Sequence, residues 1–77
     1  MRKKGLAPWE QKEYEALIER ISAGEQRIAA LDARLADPAL WSGPRAGARE
    51  VEVEREERQS ELAELYLRWE ELEARRP

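Results

Sequence analysis

The sequence predicts an all-α fold: a two-helix antiparallel coiled-coil hairpin with a short helical turn at the tip. Three observations point to it. Residues 14–35 repeat apolar side chains in heptads, with Tyr14, Ile21, Ile28 and Leu35 at one position, Leu17 and Leu31 at its companion, and Gly24 between them. Residues 48–72 repeat in the same way, with Ala48, Leu62 and Trp69 at one position and Val51, Leu65 and Leu72 at the other. Between the runs lies the break Asp37-Pro38-Ala39-Leu40-Trp41-Ser42-Gly43-Pro44. Two amphipathic helices joined by so short a turn bury their stripes by folding back on each other.

Residues 1–7, with Arg2, Lys3, Lys4 and Gly5, read as the end of a basic linker, and the hairpin domain occupies 8–76. Pro8 suits a first helical position, where its missing N–H would be unpaired anyway. The first helix is expected to run to about residue 36, with Ala7 a poor N-cap and Glu10 well placed in the first turn. Gly24 weakens its middle by about 1 kcal/mol relative to Ala. Asp37 and Pro38 read as a fresh N-cap and first position, opening one turn through Trp41 within a tip over 37–44. The second helix is expected over about 45–75, with Arg75 and Arg76 at the negative end of its dipole. Each long helix would be about 45 Å long at 1.5 Å per residue.

Folding the chain about Gly43 pairs Tyr14 with Leu72, Leu17 with Trp69, Ile21 with Leu65 and Gly24 with Leu62. It continues with Ile28 on Arg58, Leu31 on Arg55 and Leu35 on Val51. One flank then sets Glu13 beside Arg75, Arg27 beside Glu61 and Arg34 beside Glu54, with Arg20 beside Arg68 the like-charged exception. The other flank joins Ile18 to Tyr66 and sets Asp32 beside Glu52. A firm base near the termini follows, with Trp9 packed near Leu72. The middle is softer: there the stems of Arg55 and Arg58 lie along Ile28 and Leu31, and their heads reach water or Glu25. Leu35, Leu40, Trp41 and Val51 re-close the tip.

With 77 residues there is room for one domain with a thin core. Charged residues are 40% of the chain, and sustained periodicity is what argues for helix over disorder. The chain has no Cys, so it forms no disulfide and offers no thiolate; it has no His, the commonest general base and metal ligand. Phosphate-loop, Ser/His/Asp and CxxC patterns are missing, so no residue is assigned a catalytic, metal or cofactor role. Glu56-Glu57 and Glu70-Glu71-Leu72-Glu73 read as solvated helix faces rather than metal ligands. No apolar run matches a membrane span and no signal-peptide pattern appears, so a cytoplasmic, non-membrane location and a monomeric hairpin are expected. Net charge is −3, so nucleic-acid contact has to rest on local charge. Arg2, Lys3, Lys4 and Lys12 cluster at the base, and Arg20 with Arg68 adds a positive spot one or two turns on. Such a patch suits phosphates. Arg45 and Arg49 form a second basic pair near the tip.

Three stretches carry a family resemblance: Leu6-Ala7-Pro8-Trp9-Glu10-Gln11-Lys12-Glu13-Tyr14-Glu15, Leu35-Ala36-Asp37-Pro38-Ala39-Leu40-Trp41 and Leu67-Arg68-Trp69-Glu70-Glu71-Leu72-Glu73. In this order and spacing they resemble the C-terminal coiled-coil domain of ABC-F ATPases, of the Uup type, over residues 6 to 74. Ala7 stands where that family has Ser or Thr, Pro8-Trp9 where it has an aromatic and a Lys, and Ile18 where Pro is common. The resemblance implies an accessory domain of a protein with two ATPase cassettes and no membrane domain, with ATP and Mg bound in those cassettes and no cofactor here. It also implies a DNA-binding element, with branched DNA as a possible form of the ligand. The expected contacts are Arg2, Lys3, Lys4, Lys12, Arg20 and Arg68. The alternative is a spacer or interaction arm that meets protein, ribosome or RNA through the tip at Leu40, Trp41 and Arg45.

Overall fold

Prolines mark the starts of the helices. In the computed structural model, which describes residues 5–76, α1 spans Pro8–Leu35, α2 Pro38–Trp41 and α3 Arg45–Arg75. The two long helices pack antiparallel, and α2 touches both where the chain reverses. The result is an all-α hairpin measuring 65 × 16 × 14 Å.

Most helix ends are satisfied by local contacts. Gly5 has φ 124°, a region that favours glycine, and this bend lets Leu6 pack on the base of the hairpin. Ala7 has no side-chain acceptor, so Glu10 Oε1 reaches back to accept from the Ala7 N–H at 3.0 Å, half of a capping box. At the other end of α1, Trp41 Nε1 donates to the Leu35 carbonyl at 2.7 Å, satisfying one of the orphan acceptors of a helix C-terminus. Asp37 Oδ1 accepts from the Ala39 N–H at 3.0 Å and starts α2. Only α3 begins without a side-chain cap or an acidic residue in its first turn.

The core runs along the two heptad stripes in the expected register: a Cβ added to Gly24 would meet Leu62 Cδ1 at 3.3 Å. Tyr14, Leu17 and Leu72 form the base cluster, with Leu6, Leu65 and Trp69 packed on it. Ile21, Ile28 and Leu62 continue it toward the middle. Leu31 and Leu72 are fully buried, and Ala48 and Val51 are buried below the tip. Tyr14 stacks near-parallel on Trp69 at 6.5 Å, and Tyr66 meets Trp69 edge-on at 6.4 Å.

Several expectations need correction. Trp9 is 63% exposed rather than packed near Leu72. Counting back one heptad from Leu17 lands on Glu10, and it is Glu10 that is buried. Trp41 is 53% exposed, its N–H engaged but its ring largely open, so Leu40 and not Trp41 lies over the tip, against Gly47. The charged flank pairs one heptad away from its expected partners. Glu13 binds Arg68 instead of Arg75, and Arg27 binds Glu54 instead of Glu61. The reason is competition: Arg75 is held by Glu10, and Glu61 bridges to Arg58 within α3. In the middle, Arg55 reaches across to Asp32, while Glu25 accepts from the Tyr66 hydroxyl. The interhelical links at Asp32 and Glu25 tie together the layers expected to be soft.

Candidate nucleic-acid interface

The expected basic cluster divides into three groups. Arg2, Lys3 and Lys4 lie outside the described residues. Lys12 and Arg20 are exposed on α1, and neither is ion-paired among the described residues. Lys12 sits on the outer face, one helical turn from the exposed Trp9. Arg20 borders a shallow groove of about 270 Å³ over Gly24, with Arg27, Arg58 and Glu61 around it. Arg68 differs from these. Its Nε and Nη2 donate to the two Glu13 carboxylate oxygens, both at 2.8 Å, and Nη1 donates to Glu71 at 2.9 Å. These bonds, Glu13 first and Glu71 second, push its pKa well above the ordinary arginine value. Its charge is matched inside the hairpin, so the positive spot expected of Arg20 with Arg68 reduces to Arg20.

Both long helices carry more carboxylates than cations, but three cations of α1 share one row. Arg20, Arg27 and Arg34 repeat at heptad spacing along one flank of α1, and the neighbouring exposed row is Ala16, Ala23 and Ala30. That neighbouring row holds no carboxylate, while Glu13 heads the arginine row itself. Arg27 is paired across the seam with Glu54 at 2.8 Å, which raises the Arg27 pKa and lowers that of Glu54. The exposed outer side of α3 carries Glu50, Glu56, Glu57, Glu64 and Glu70. The outer side of α3 is therefore unfavourable to a polyanion.

The profile of the ABC transporter C-terminal domain family matches residues 5–74. The chain belongs to that family. It is the C-terminal domain of an ABC-F ATPase, an accessory domain of that enzyme. Comparisons with curated proteins and with solved structures gave no match.

Three features of this ABC-F C-terminal domain escaped the sequence reading. Glu10 is a buried clamp at the open end: Arg75 grips its carboxylate through both Nη atoms, at 2.6 and 2.8 Å, while Ala7 N–H donates to it. The Ala7 bond and then Arg75 hold the Glu10 carboxyl below the usual carboxylate range. Its heptad position was the available signal. Beside it, Tyr14 donates to Glu73 at 2.6 Å and accepts from Arg76 at 2.7 Å. The second feature is an apolar groove of about 390 Å³ on the flank opposite the arginine row, walled by Ile18, Ile21, Tyr66 and Trp69 with Glu25 at its rim. The third is a groove of about 480 Å³ at the tip between Trp41 and the first turns of α3. Among the described residues no acidic cluster is arranged to hold a metal, and no helix is long and apolar enough to cross a membrane.

Proposed function

We propose that this domain is a non-catalytic nucleic-acid-binding arm of a cytoplasmic ABC-F ATPase of the Uup type, and that DNA, including branched DNA, is its ligand. The contacts are to phosphates and independent of base sequence, from Arg2, Lys3, Lys4, Lys12 and Arg20. The observation that carries this reading is the state of the cations. Arg68, Arg75 and Arg76 are spent on Glu13, Glu10 and Glu73, whereas Lys12 and Arg20 stand exposed with no ion-pair partner among the described residues. Arg68 then acts as a strut that keeps Glu13 occupied.

Fluorescence anisotropy of the 77-residue chain with duplex DNA, a four-way junction and a structured RNA, at low and near-physiological salt, tests it. Binding should be saturable, strongest for the junction, and weakened by salt. Changing Lys3, Lys4 and Lys12 together to Glu should abolish it, and removing a single phosphate contact should lower the salt slope by about 1. Equal affinity of wild type and triple variant would remove the assignment. The second reading, a spacer or protein-interaction arm, has support in the apolar groove beside Ile18. Under it, Ile18→Glu would abolish partner binding by the parent ATPase, and a variant with unchanged partner binding would count against it.

A further inference from the structure

The tip combines an anchored aromatic ring with two arginines, Arg45 and Arg49. Trp41 is 53% exposed, yet its indole is anchored by the 2.7 Å hydrogen bond to Leu35. A ring held this way offers a face to a ligand without the entropy cost of ordering a free side chain. The groove beside it is lined by Trp41, Arg45, Ala46, Ala48, Arg49 and Glu52, so small alanines leave room between the indole and the arginines. Its volume of about 480 Å³ suits a group of small-ligand size.

Charge completes the argument. From residue 34 to residue 52 the chain carries three arginines, Arg34, Arg45 and Arg49, against three carboxylates, Asp37, Glu50 and Glu52. The Asp37 carboxylate is engaged with the Ala39 N–H. Arg49 has one long ion pair, to Glu52 at 3.8 Å, and Arg45 forms no ion pair among the described residues. Arg45 stands in the first turn of α3, where the helix dipole is positive and a cation is unfavourable. Charge in that place does not stabilise the helix and is available to an anion.

We infer that the tip is a second nucleic-acid contact, in which an unpaired base stacks on Trp41 while Arg45 and Arg49 hold its flanking phosphates. Stacking on an aromatic face requires a base free of its duplex, so the tip selects loops, gaps and branch points. The inference rests on the nucleic-acid reading of the domain and adds what that reading lacks, a means to prefer unpaired nucleotides.

The test uses the 77-residue chain with a DNA hairpin carrying 2-aminopurine in its loop, the equivalent RNA hairpin, and a fully paired duplex of equal charge. Loop binding should quench the probe. Trp41→Ala should weaken loop binding by about 5- to 100-fold and leave duplex binding unchanged. Trp41→Phe keeps a stacking ring while losing the bond to Leu35, and should restore most of the loop preference. Arg45→Glu with Arg49→Glu should weaken loop binding and its salt dependence. Loop preference unchanged by Trp41→Ala, or lost equally in Trp41→Phe, overturns the inference. In the first case, loss of all binding by the Lys3/Lys4/Lys12 change shows that the basal reading stands while the tip fails. Loop binding that survives the basal change but not Trp41→Ala shows the reverse. Preference for the RNA loop over the DNA loop, with the same dependence on Trp41, assigns the site to RNA.

Discussion

Glu10 is the residue that most changes how the open end of the hairpin is understood. It ties the start of α1 to the end of α3 through Arg75 and also caps the Ala7 N–H. A carboxylate that accepts three such bonds favours its ionised form, and its pKa lies below the ordinary value of 4.5. Glu13, Glu54 and Glu73 shift in the same direction, held by Arg68, Arg27 and, for Glu73, the Tyr14 hydroxyl first. A depressed folded-state pKa means that the unfolded chain binds more protons at acid pH, so stability rises with pH. The contribution is complete above the unfolded value and is lost as pH falls through the folded values. The Tm should therefore drop on acidification below pH 4.5. Glu10→Gln keeps an acceptor for Ala7 but removes the charge that Arg75 grips. It should lower the Tm at neutral pH and flatten part of the acid-induced fall. A full wild-type pH profile in this variant, followed by circular dichroism, would show that the clamp contributes nothing.

At the scale of the element, Gly24 leaves a gap in the companion stripe of α1 opposite Leu62. An Ala there gains about 1 kcal/mol of helix propensity. Its Cβ would come within 3.3 Å of Leu62 Cδ1, so Leu62 must give way by a few tenths of an ångström. That atom ends a flexible side chain, and it borders the groove over Gly24, which has room to receive it. Gly24→Ala should therefore raise stability, by up to about 1 kcal/mol in urea unfolding; a lower midpoint would mean that Leu62 is locked. The helices themselves were legible because proline and apolar spacing act locally. Pro8, Asp37-Pro38 and Gly43-Pro44 punctuate the chain, and the Gly24–Leu62 layer follows from counting heptads. The ion pairs were not legible to the same depth. Glu13 pairs with Arg68 while Glu10 holds Arg75, an assignment that heptad counting alone does not make. For Trp41 the large apolar ring suggests packing, whereas the Leu35 carbonyl accepts its N–H and the residue stays 53% exposed.

For the whole molecule, the arginines in the seam weigh stability against association. Arg55 and Arg58 occupy stripe positions opposite the buried Leu31 and Ile28. Both are half-buried, and Arg58 Nε is buried with no partner among the described residues. A buried donor left unpaired is a cost that an apolar side chain would not carry. Polar groups at seam positions also limit which partners a coiled coil accepts, at some loss of stability. With leucine at both places the apolar stripe of α3 would run unbroken from Ala48 to Leu72. Nothing would then favour the intrachain partner over a second copy except the short connection at α2. Arg55→Leu with Arg58→Leu should therefore raise the Tm and introduce concentration-dependent self-association in sedimentation velocity, while the wild-type chain remains a monomer. A double variant that is more stable and still monomeric would show that the tip connection alone enforces the hairpin. One that is less stable would show that the bond from Arg55 to Asp32 outweighs the apolar area gained.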